Sequence, residues 1–267
     1  MKEQAVKNRK TFSAEKKIRL AGLSLAMLCF SLFLNHVNAQ VKNIVLVHGA
    51  WADGSGWQGV YKILVAKGYH VSVVGNSDFS LDLDVQSVKN VLAQQTGPVI
   101  LVGHSYGGAI ITQAGDTSSV VGLVYIAAFA PDLGESLASL GKNAPPNPDA
   151  GFLPPNAGFV WYDKAKFHRD FCPDLSADQA KFMAYSQLPL GLAAIIAPMT
   201  SVAWKTKPVW YLVASEDRMI PPDAERFMGN RTGGKVSEIK SSHAVYVSHP
   251  KEVAELIETA ALSAGHQ

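Results

Sequence analysis

The regular alternation of short β-branched runs with helical stretches most strongly restricts how this chain can fold. Six runs have the composition of strands: Asn43 to Val47, His70 to Val74, Pro98 to Val102, Val120 to Ile126, Pro208 to Val213 and Lys235 to Ile239. Several of them are apolar on both faces, which is typical of strands buried in a parallel sheet. The alternation predicts an α/β fold, with a mostly parallel six-stranded sheet covered by helices on both faces.

Two apolar stripes at helical spacing support this prediction. One consists of Val85, Val88, Val91 and Leu92. The other follows Pro250 and consists of Val253, Leu256, Ile257 and Ala260. A proline is well tolerated in the first turn of a helix, so Pro250 marks a helix start. We therefore expect both stripes to face the sheet.

The alternation is interrupted between about residues 131 and 206. This interval holds a Pro-rich loop, Asn143 to Gly158, and then Ser176 and Gln179 at the spacing of a capping box. It is too long for a crossover made of short loops and one helix. Aromatic side chains such as Trp161 and Phe167 argue against a disordered linker. We predict an inserted helical cap over the ends of the strands.

Residues 1–39 have the features of a secretory signal peptide, which leaves residues 40–267 as one folded domain. Seven basic residues precede an apolar run from Leu20 to Leu34, and Val37-Asn38-Ala39 offers a cleavage site. An uncleaved anchor is the alternative, although the run of 15 residues spans only about 22 Å of a ~30 Å bilayer core. We expect a periplasmic or secreted protein without stable membrane association after cleavage.

The charge balance changes when this leader is removed. The chain has 24 basic and 22 acidic residues, and the leader carries seven and two of them, which leaves 17 basic and 20 acidic residues. The remaining domain therefore offers no basic patch for nucleic acid or acidic lipid. Of the two cysteines only Cys172 remains, so no internal disulfide can form.

The segment Gly103-His104-Ser105-Tyr106-Gly107 carries the strongest chemical signal. It directly follows an apolar strand and directly precedes the helical sequence Gly108 to Ile111. A Gly-x-Ser-x-Gly turn in this context presents its serine above the sheet. We therefore predict Ser105 as a nucleophile, with backbone N–H groups of the following helix directed at a developing oxyanion.

A serine hydroxyl needs a base, and the base in turn needs an orienting acid. In the chain order of this motif the acid and then the histidine follow the serine. His243, in the loop after the last strand, is the predicted base, with His249 as its competitor beside Pro250. Asp217, at the end of a strand, is the predicted acid, with Asp132 as its rival after another strand.

The oxyanion hole and the pocket complete the predicted site. His48-Gly49-Ala50-Trp51 follows the first strand, and the N–H groups of Ala50 and Tyr106 are the expected oxyanion donors. Trp51, Trp161 and Tyr162 are candidate apolar lining residues of a substrate pocket, with burial in the structural core as the competing role. Acyl transfer by such a site needs no metal or organic cofactor.

Four motifs in order, VLVHGAW, GHSYGG, ASEDRMIPP and SSHAVYVSHP, resemble bacterial α/β-hydrolases related to plant methyl-ester esterases and hydroxynitrile lyases. The resemblance implies a six-stranded core with a helical cap, and it gives Ser105, Asp217 and His243 the roles of a catalytic triad. The plant lyases of this type have a lysine after the catalytic histidine, whereas Ala244 follows His243 here. Cyanohydrin cleavage is therefore disfavoured.

These features together predict a serine hydrolase whose partner is a small or medium-sized, largely apolar ester or lactone. Two alternatives stay open. One is a ligand-binding homologue that turns over slowly or not at all. The other is a lyase or perhydrolase on the same scaffold. The sequence does not distinguish the oligomeric state.

Overall fold

A six-stranded parallel sheet lies at the centre of the part that the computed structural model describes, residues 41–142 and 148–265. The strands along the chain are β1 (Asn43–Val47), β2 (His70–Val74), β3 (Val99–Ser105), β4 (Val120–Ala128), β5 (Phe159–Val160), β6 (Leu190–Gly191), β7 (Val209–Ala214) and β8 (Lys235–Ile239). The sheet order is β2-β1-β3-β4-β7-β8, while β5 and β6 form a separate antiparallel pair. The predicted α/β fold and six-stranded parallel sheet are confirmed. The predicted signal peptide, residues 1–39, lies outside the described residues.

The strand β3 extends further than its sequence suggested. It continues to Ser105, because Gly103 pairs with Tyr125 and His104 with Ile126 of β4. The sequence GHS therefore belongs to the end of the strand rather than to a loop. This extension places the serine at the carboxyl edge of the sheet.

Alternate residues of the central strands belong to two separate cores. In β1, Val45 and Val47 pack in one core, while Ile44 and Leu46 pack in the other. This division follows from the two-residue period of a strand, which directs successive side chains to opposite faces. Both faces are apolar because helices cover both, as the sequence predicted.

The helices are α1 (Gln58–Ala66), α2 (Leu81–Leu92), α3 (Tyr106–Ala114), α4 (Leu137–Gly141), α5 (Lys164–Phe171), α6 (Ala177–Ser186), α7 (Leu192–Ile196), α8 (Pro222–Arg231), α9 (Val245–Ser248) and α10 (Pro250–Ala264). Short 3-10 helices occupy Gly54–Trp57 and Ala203–Lys205. The predicted stripes of α2 and α10 face opposite sides of the sheet, since Val88 belongs to one core and Ile257 to the other. None of the described helices is long and apolar enough to span a membrane.

The chain between β4 and β7 forms the inserted segment, which carries α4 to α7 and the β5–β6 pair. Ser176 and Gln179 form the reciprocal capping box expected at the start of α6. Three backbone hydrogen bonds join the segment to loops at the carboxyl ends of strands. Trp51 N donates to Leu188 O, Gly191 N to Asp78 O and Ala244 N to Phe171 O, over 3.2, 2.8 and 3.1 Å.

Candidate active site

Ser105 occupies a strained turn between β3 and α3. Its φ of 53° and ψ of −123° lie in a region that non-glycine residues rarely adopt, at a typical cost of about 1–3 kcal/mol. The turn can pack closely on the loop after β1 because Gly107 has no side chain. A Cβ on Gly107 would lie 2.7 Å from the carbonyl oxygens of both Val47 and His48. This geometry fits the predicted nucleophile turn, residues 103–107, with Ser105 at the carboxyl end of the sheet.

His243 and Asp217 form a buried pair at the same edge. His243 Nδ1 lies 2.5 Å from Asp217 Oδ2. The other carboxylate oxygen of Asp217 accepts hydrogen bonds from Met219 N and Ile220 N, over 2.6 and 2.9 Å. A carboxylate can only accept, so Nδ1 carries the proton of a neutral imidazole and Nε2 is free to act as a base.

His104 joins the backbone of His243 to the end of β3. Its Nε2 lies 2.9 Å from the carbonyl oxygen of His243, and the two imidazole rings are 4.6 Å apart. Burial, followed by the nearby His243, lowers the pKa of His104 well below its ordinary value. The neutral ring therefore donates from Nε2. The residue next to Ser105 is thus bonded to the backbone of His243.

His243 Nε2 is buried and has no hydrogen-bond partner among the described residues. Catalytic hydrogen bonds between a nucleophile and its base commonly tighten only when substrate is bound. The free Nε2 therefore fits a base that awaits the proton of Ser105.

The two competing assignments lie elsewhere. His249 is partly exposed at the start of α10, with Nδ1 3.9 Å from Glu252. Asp132 forms an ion pair with Lys205, and its backbone N–H donates to Glu135. In the part of the chain that the structure describes, no hydrogen bond or ion pair joins either residue to Asp217 or His243.

The loop after β1 lies against the nucleophile. A Cβ on Gly49 would be 2.5 Å from the Cβ of Ser105, so the backbone of this loop reaches the serine only because Gly49 has no side chain. Among the described residues, no backbone hydrogen bond uses the Ala50 N–H. The Tyr106 N–H opens α3, where first-turn amides have no helical acceptor. Both predicted oxyanion donors are thus placed beside Ser105 without a competing backbone partner.

A buried aspartate behind this loop was missed by the sequence analysis. Asp84 Oδ2 accepts a hydrogen bond from the Tyr106 hydroxyl over 2.8 Å. Its Oδ1 accepts from Ser77 N, Ser77 Oγ and Asp78 N, over 2.8, 3.0 and 3.0 Å. Asp84 therefore fastens the oxyanion residue Tyr106 to the loop after β2. A first-turn aspartate is ordinarily read as an exposed helix-dipole partner, so only its side-chain contacts reveal this role.

A second acid lies behind Asp217. Glu225 is fully buried in α8, and its Oε2 accepts a hydrogen bond from Ala214 N over 3.0 Å. Its Oε1 is buried and has no hydrogen-bond partner among the described residues. Burial, followed by the charge of Asp217, raises the pKa of Glu225 well above its ordinary value. Glu225 precedes buried Met228 by three residues and therefore shares its face of α8, and this spacing was the sequence signal for an inward orientation of Glu225.

The three aromatic residues predicted to line the pocket have different surroundings. Trp51 is buried, and its indole N–H donates to Val160 O over 2.9 Å. Tyr162 is buried, and its hydroxyl donates to Asp170 over 2.7 Å. The rings of these two residues are 5.7 Å apart, whereas Trp161 is 38% exposed. Trp51 and Tyr162 thus attach the inserted segment to the loop after β1. Contact of either residue with a substrate stays a prediction.

Within residues 41–142 and 148–265, no group of three or more His, Cys, Asp or Glu side chains is arranged to hold a metal ion.

The pattern that defines the Alpha/beta hydrolase family matches residues 44–256. The chain therefore belongs to this family. Its fold is also that of solved members, because it superposes on a pyrethroid hydrolase from Sphingobium faniae with a TM-score of 0.70. That match has 23% identity and covers 83% of this chain and 97% of the hydrolase.

Several curated proteins are similar in sequence. A pyrethroid hydrolase of Sphingobium wenxiniae is 28% identical over 81% of this chain and 86% of its own length. Methylesterase 7 of Arabidopsis thaliana is 28% identical over 81% of this chain and 95% of its own length. A carbendazim hydrolyzing esterase of a Nocardioides species is 34% identical over 42% of this chain. That match spans about half of the esterase, 53% of its length.

Proposed function

We propose that this protein is a serine esterase that forms an acyl-enzyme on Ser105. The observation that carries the proposal is the pairing of a strained serine turn with a buried His243–Asp217 pair at the same edge of the sheet. The tautomer of His243 leaves Nε2 available, and His104 bonds the His243 backbone to the end of β3. Relatives named as esterases and hydrolases support ester hydrolysis in general.

The geometry suggests the following sequence of steps. Ser105 Oγ attacks the ester carbonyl carbon, and its proton passes to His243 Nε2. The negative oxygen of the tetrahedral intermediate receives hydrogen bonds from Ala50 N–H and Tyr106 N–H. The intermediate collapses, and the leaving alcohol takes the proton from Nε2. Water then attacks the acyl-enzyme by the same route and releases the carboxylic acid.

Asp217 has two functions in these steps. It keeps the Nδ1 proton in place, so that Nε2 remains the basic nitrogen, and it stabilises the imidazolium that forms when Nε2 takes the serine proton. Glu225 lies behind this carboxylate, and the nearby charge of Asp217 is, after burial, a cause of its raised pKa.

The substrate that we propose is a small or medium-sized, uncharged ester or lactone. Aromatic side chains surround the loop after β1, where Trp51 contacts Phe152 and Tyr162 with ring centroids 5.3 and 5.7 Å apart. Such surroundings favour an apolar ligand. A panel of methyl esters, p-nitrophenyl esters of increasing acyl length and lactones tests this proposal. Preference for charged acyl groups would contradict it.

The decisive test of the mechanism is Ser105→Ala. We expect this variant to lose p-nitrophenyl acetate hydrolysis and labelling by a fluorophosphonate probe, by at least about 10³-fold in rate, because the nucleophile is gone. Ser118→Ala, at an exposed serine, is the matched control and should behave as wild type. Undiminished turnover by Ser105→Ala would refute the proposal. Labelling of the wild type without steady turnover would instead favour a ligand-binding protein.

We also propose export of the protein, on the basis of the basic and apolar pattern of residues 1–39. Expression of the full chain followed by fractionation and N-terminal sequencing tests this. A chain beginning at Gln40 in the exported fraction is the expected result, and an intact N-terminus in the cytoplasm would contradict it.

A further inference from the structure

The loop that carries His243 is bonded to a turn of the inserted segment. We refer to residues 240–244 as the base loop and to residues 172–176, between α5 and α6, as the cap turn. Asp174 of the cap turn accepts three hydrogen bonds from the base loop. Its Oδ2 lies 2.9 Å from Ser241 Oγ and 3.1 Å from Ser242 N, and its Oδ1 lies 2.5 Å from Ser242 Oγ.

The base loop is also bonded to the inserted segment on the other side of His243. Ala244 N donates to the carbonyl oxygen of Phe171 over 3.1 Å. The ring of Phe171 meets the His243 ring edge to face, with centroids 4.8 Å apart. Residues before and after the base are therefore both attached to the same short stretch of the inserted segment.

The chemistry of Asp174 suits this attachment. Partial burial acts to raise its pKa, but the hydrogen bonds from Ser242, Ser248 and Ser241 together hold the pKa of Asp174 below its ordinary value. The side chain is thus an ionised acceptor at neutral pH, and its bonds to Ser241 and Ser242 are charge-assisted. Such bonds are shorter and roughly twice as strong as neutral ones.

Other hydrogen bonds hold backbone carbonyl groups of the base loop. His104 Nε2 holds the carbonyl oxygen of His243, and Glu216 N holds that of Ser241 over 3.0 Å. These bonds fix carbonyl groups, whereas the hydroxyls of Ser241 and Ser242 donate to Asp174. The same hydroxyls also make local contacts, Ser241 Oγ with Ser248 Oγ and Ser242 Oγ with Ala244 N, over 3.1 and 3.2 Å. A misplacement of about 1 Å in a catalytic group can lower the rate by about 10²-fold.

We propose that Asp174 is a positioning residue, which makes the placement of the His243 imidazole depend on how the cap turn is seated. This inference rests on the proposed function, because it requires His243 to be the base. It assigns to the inserted segment a part in the chemistry in addition to covering the substrate.

The first test is Asp174→Asn, which keeps the size of the side chain but replaces one acceptor oxygen by an NH₂ group. We expect kcat for p-nitrophenyl acetate and the rate of fluorophosphonate labelling to fall about 10-fold or more, with KM within about twofold. The downfield proton resonance of His243 Nδ1–H should broaden or shift. Asp178→Asn, at an exposed aspartate of the same segment, is the matched control and should leave all three unchanged.

A double-mutant cycle provides the second test. Ser242→Ala removes one hydroxyl donor to Asp174, so it should lower kcat in the same direction but less. Because the Ser242 hydroxyl acts through its bond to Asp174, the double variant should be little worse than Asp174→Asn. If Asp174→Asn does not fold, Ser242→Ala alone decides, and a wild-type kcat in that variant overturns the inference.

The outcomes separate this inference from the proposed function. Wild-type labelling and an unchanged His243 resonance in Asp174→Asn, together with an inactive Ser105→Ala, overturn the role of Asp174 alone. An active Ser105→Ala overturns both. Additive losses in the double-mutant cycle show that the two residues act separately and also overturn the inference.

Discussion

The nucleophile turn and the base loop lie at the same edge of the sheet but are held by different kinds of contact. The turn is fixed by close backbone packing, since added Cβ atoms at Gly49 and Gly107 would lie 2.5 and 2.7 Å from their neighbours. The base loop is fixed by polar side chains, some of them far away in the sequence. Asp217 is 26 residues from His243, and Asp174 is 67 and 68 residues from Ser241 and Ser242.

This difference predicts two kinds of sensitivity. The nucleophile side, which comprises the nucleophile turn and the loop after β1, should be intolerant of a single added methyl group, because backbone atoms cannot easily move away. The base side, which comprises the base loop with Asp217, Glu225 and Asp174, should tolerate changes of size but respond to changes of charge and hydrogen bonding. The experiments below test this contrast, together with those on Ser105 and Asp174.

The largest expected effect in this comparison is that of Gly49→Ala. The new methyl group would overlap the Cβ of Ser105 and displace either the serine or the loop that carries Ala50. We expect kcat/KM for p-nitrophenyl acetate to fall about 10²-fold, because loss of an oxyanion donor alone has this effect. The free energy of unfolding should fall by about 1–3 kcal/mol.

Gly75→Ala is the matched control for this substitution. An added Cβ on Gly75 would have no heavy atom within 4 Å, and its φ is not positive. The control should therefore retain both activity and stability. Wild-type activity in Gly49→Ala would show that the nucleophile side is not closely packed and would remove the contrast.

A smaller effect is expected for Tyr106→Phe, which removes a side-chain bond on the nucleophile side. Asp84 Oδ2 would lose its donor while remaining buried, at a cost of about 1–3 kcal/mol in the free energy of unfolding. Activity should fall only a fewfold, since the Tyr106 N–H is kept. Urea unfolding and steady-state kinetics measure the two quantities. Tyr185→Phe, at an exposed tyrosine, is the control, and equal stability of both variants would contradict the assigned role of Asp84.

The smallest effect at neutral pH is expected for Glu225→Gln on the base side. The folded-state pKa of Glu225 is raised, so its contribution to stability is fully present below the unfolded pKa and is lost as the pH rises through the folded pKa. Glutamine does not titrate, and its amide oxygen can still accept from Ala214 N. The variant should therefore gain stability over wild type as the pH rises above about 4.5, the ordinary pKa of this side chain, by about 1.4 kcal/mol per unit of raised pKa.

Thermal unfolding across this pH range measures the gain. Glu255→Gln, at an exposed glutamate of α10, is the control and should show no such trend. A difference in Tm between Glu225→Gln and wild type that does not change with pH would contradict a raised pKa. A large loss of activity in this variant would show that His243 and Asp217 require the carboxyl group of Glu225. It would contradict the small effect that we expect at neutral pH.

The sheet was predictable because its signals are local. The runs around Val45 and Leu101 are apolar on both faces, and only a doubly covered strand accommodates that pattern. The Ser176–Gln179 capping box also formed as predicted, since it needs only residues within one turn. The end of β3 was wrong by three residues, because its pairing with β4 is a contact that the glycine-rich sequence does not reveal.

The site was predictable in part. Ser105, His243 and Asp217 could be named from motifs that surround each of them, and the structure brings His243 and Asp217 into contact. Asp84 and Asp174 could not, since each looks like an ordinary surface acid near a helix start, and for Glu225 the helical spacing indicated only that it faces inward. The roles of all three depend on partners in other elements, which the sequence does not reveal.

The sequence by itself determined the strand and helix alternation, and it identified the serine turn through glycines that permit one backbone conformation. Both follow from local sterics and side-chain periodicity, which a single chain segment contains. Only the tertiary structure decided which acids stand behind Tyr106, Asp217 and His243. Those placements depend on hydrogen bonds between distant segments, and these exist only once the inserted segment and the sheet have packed together.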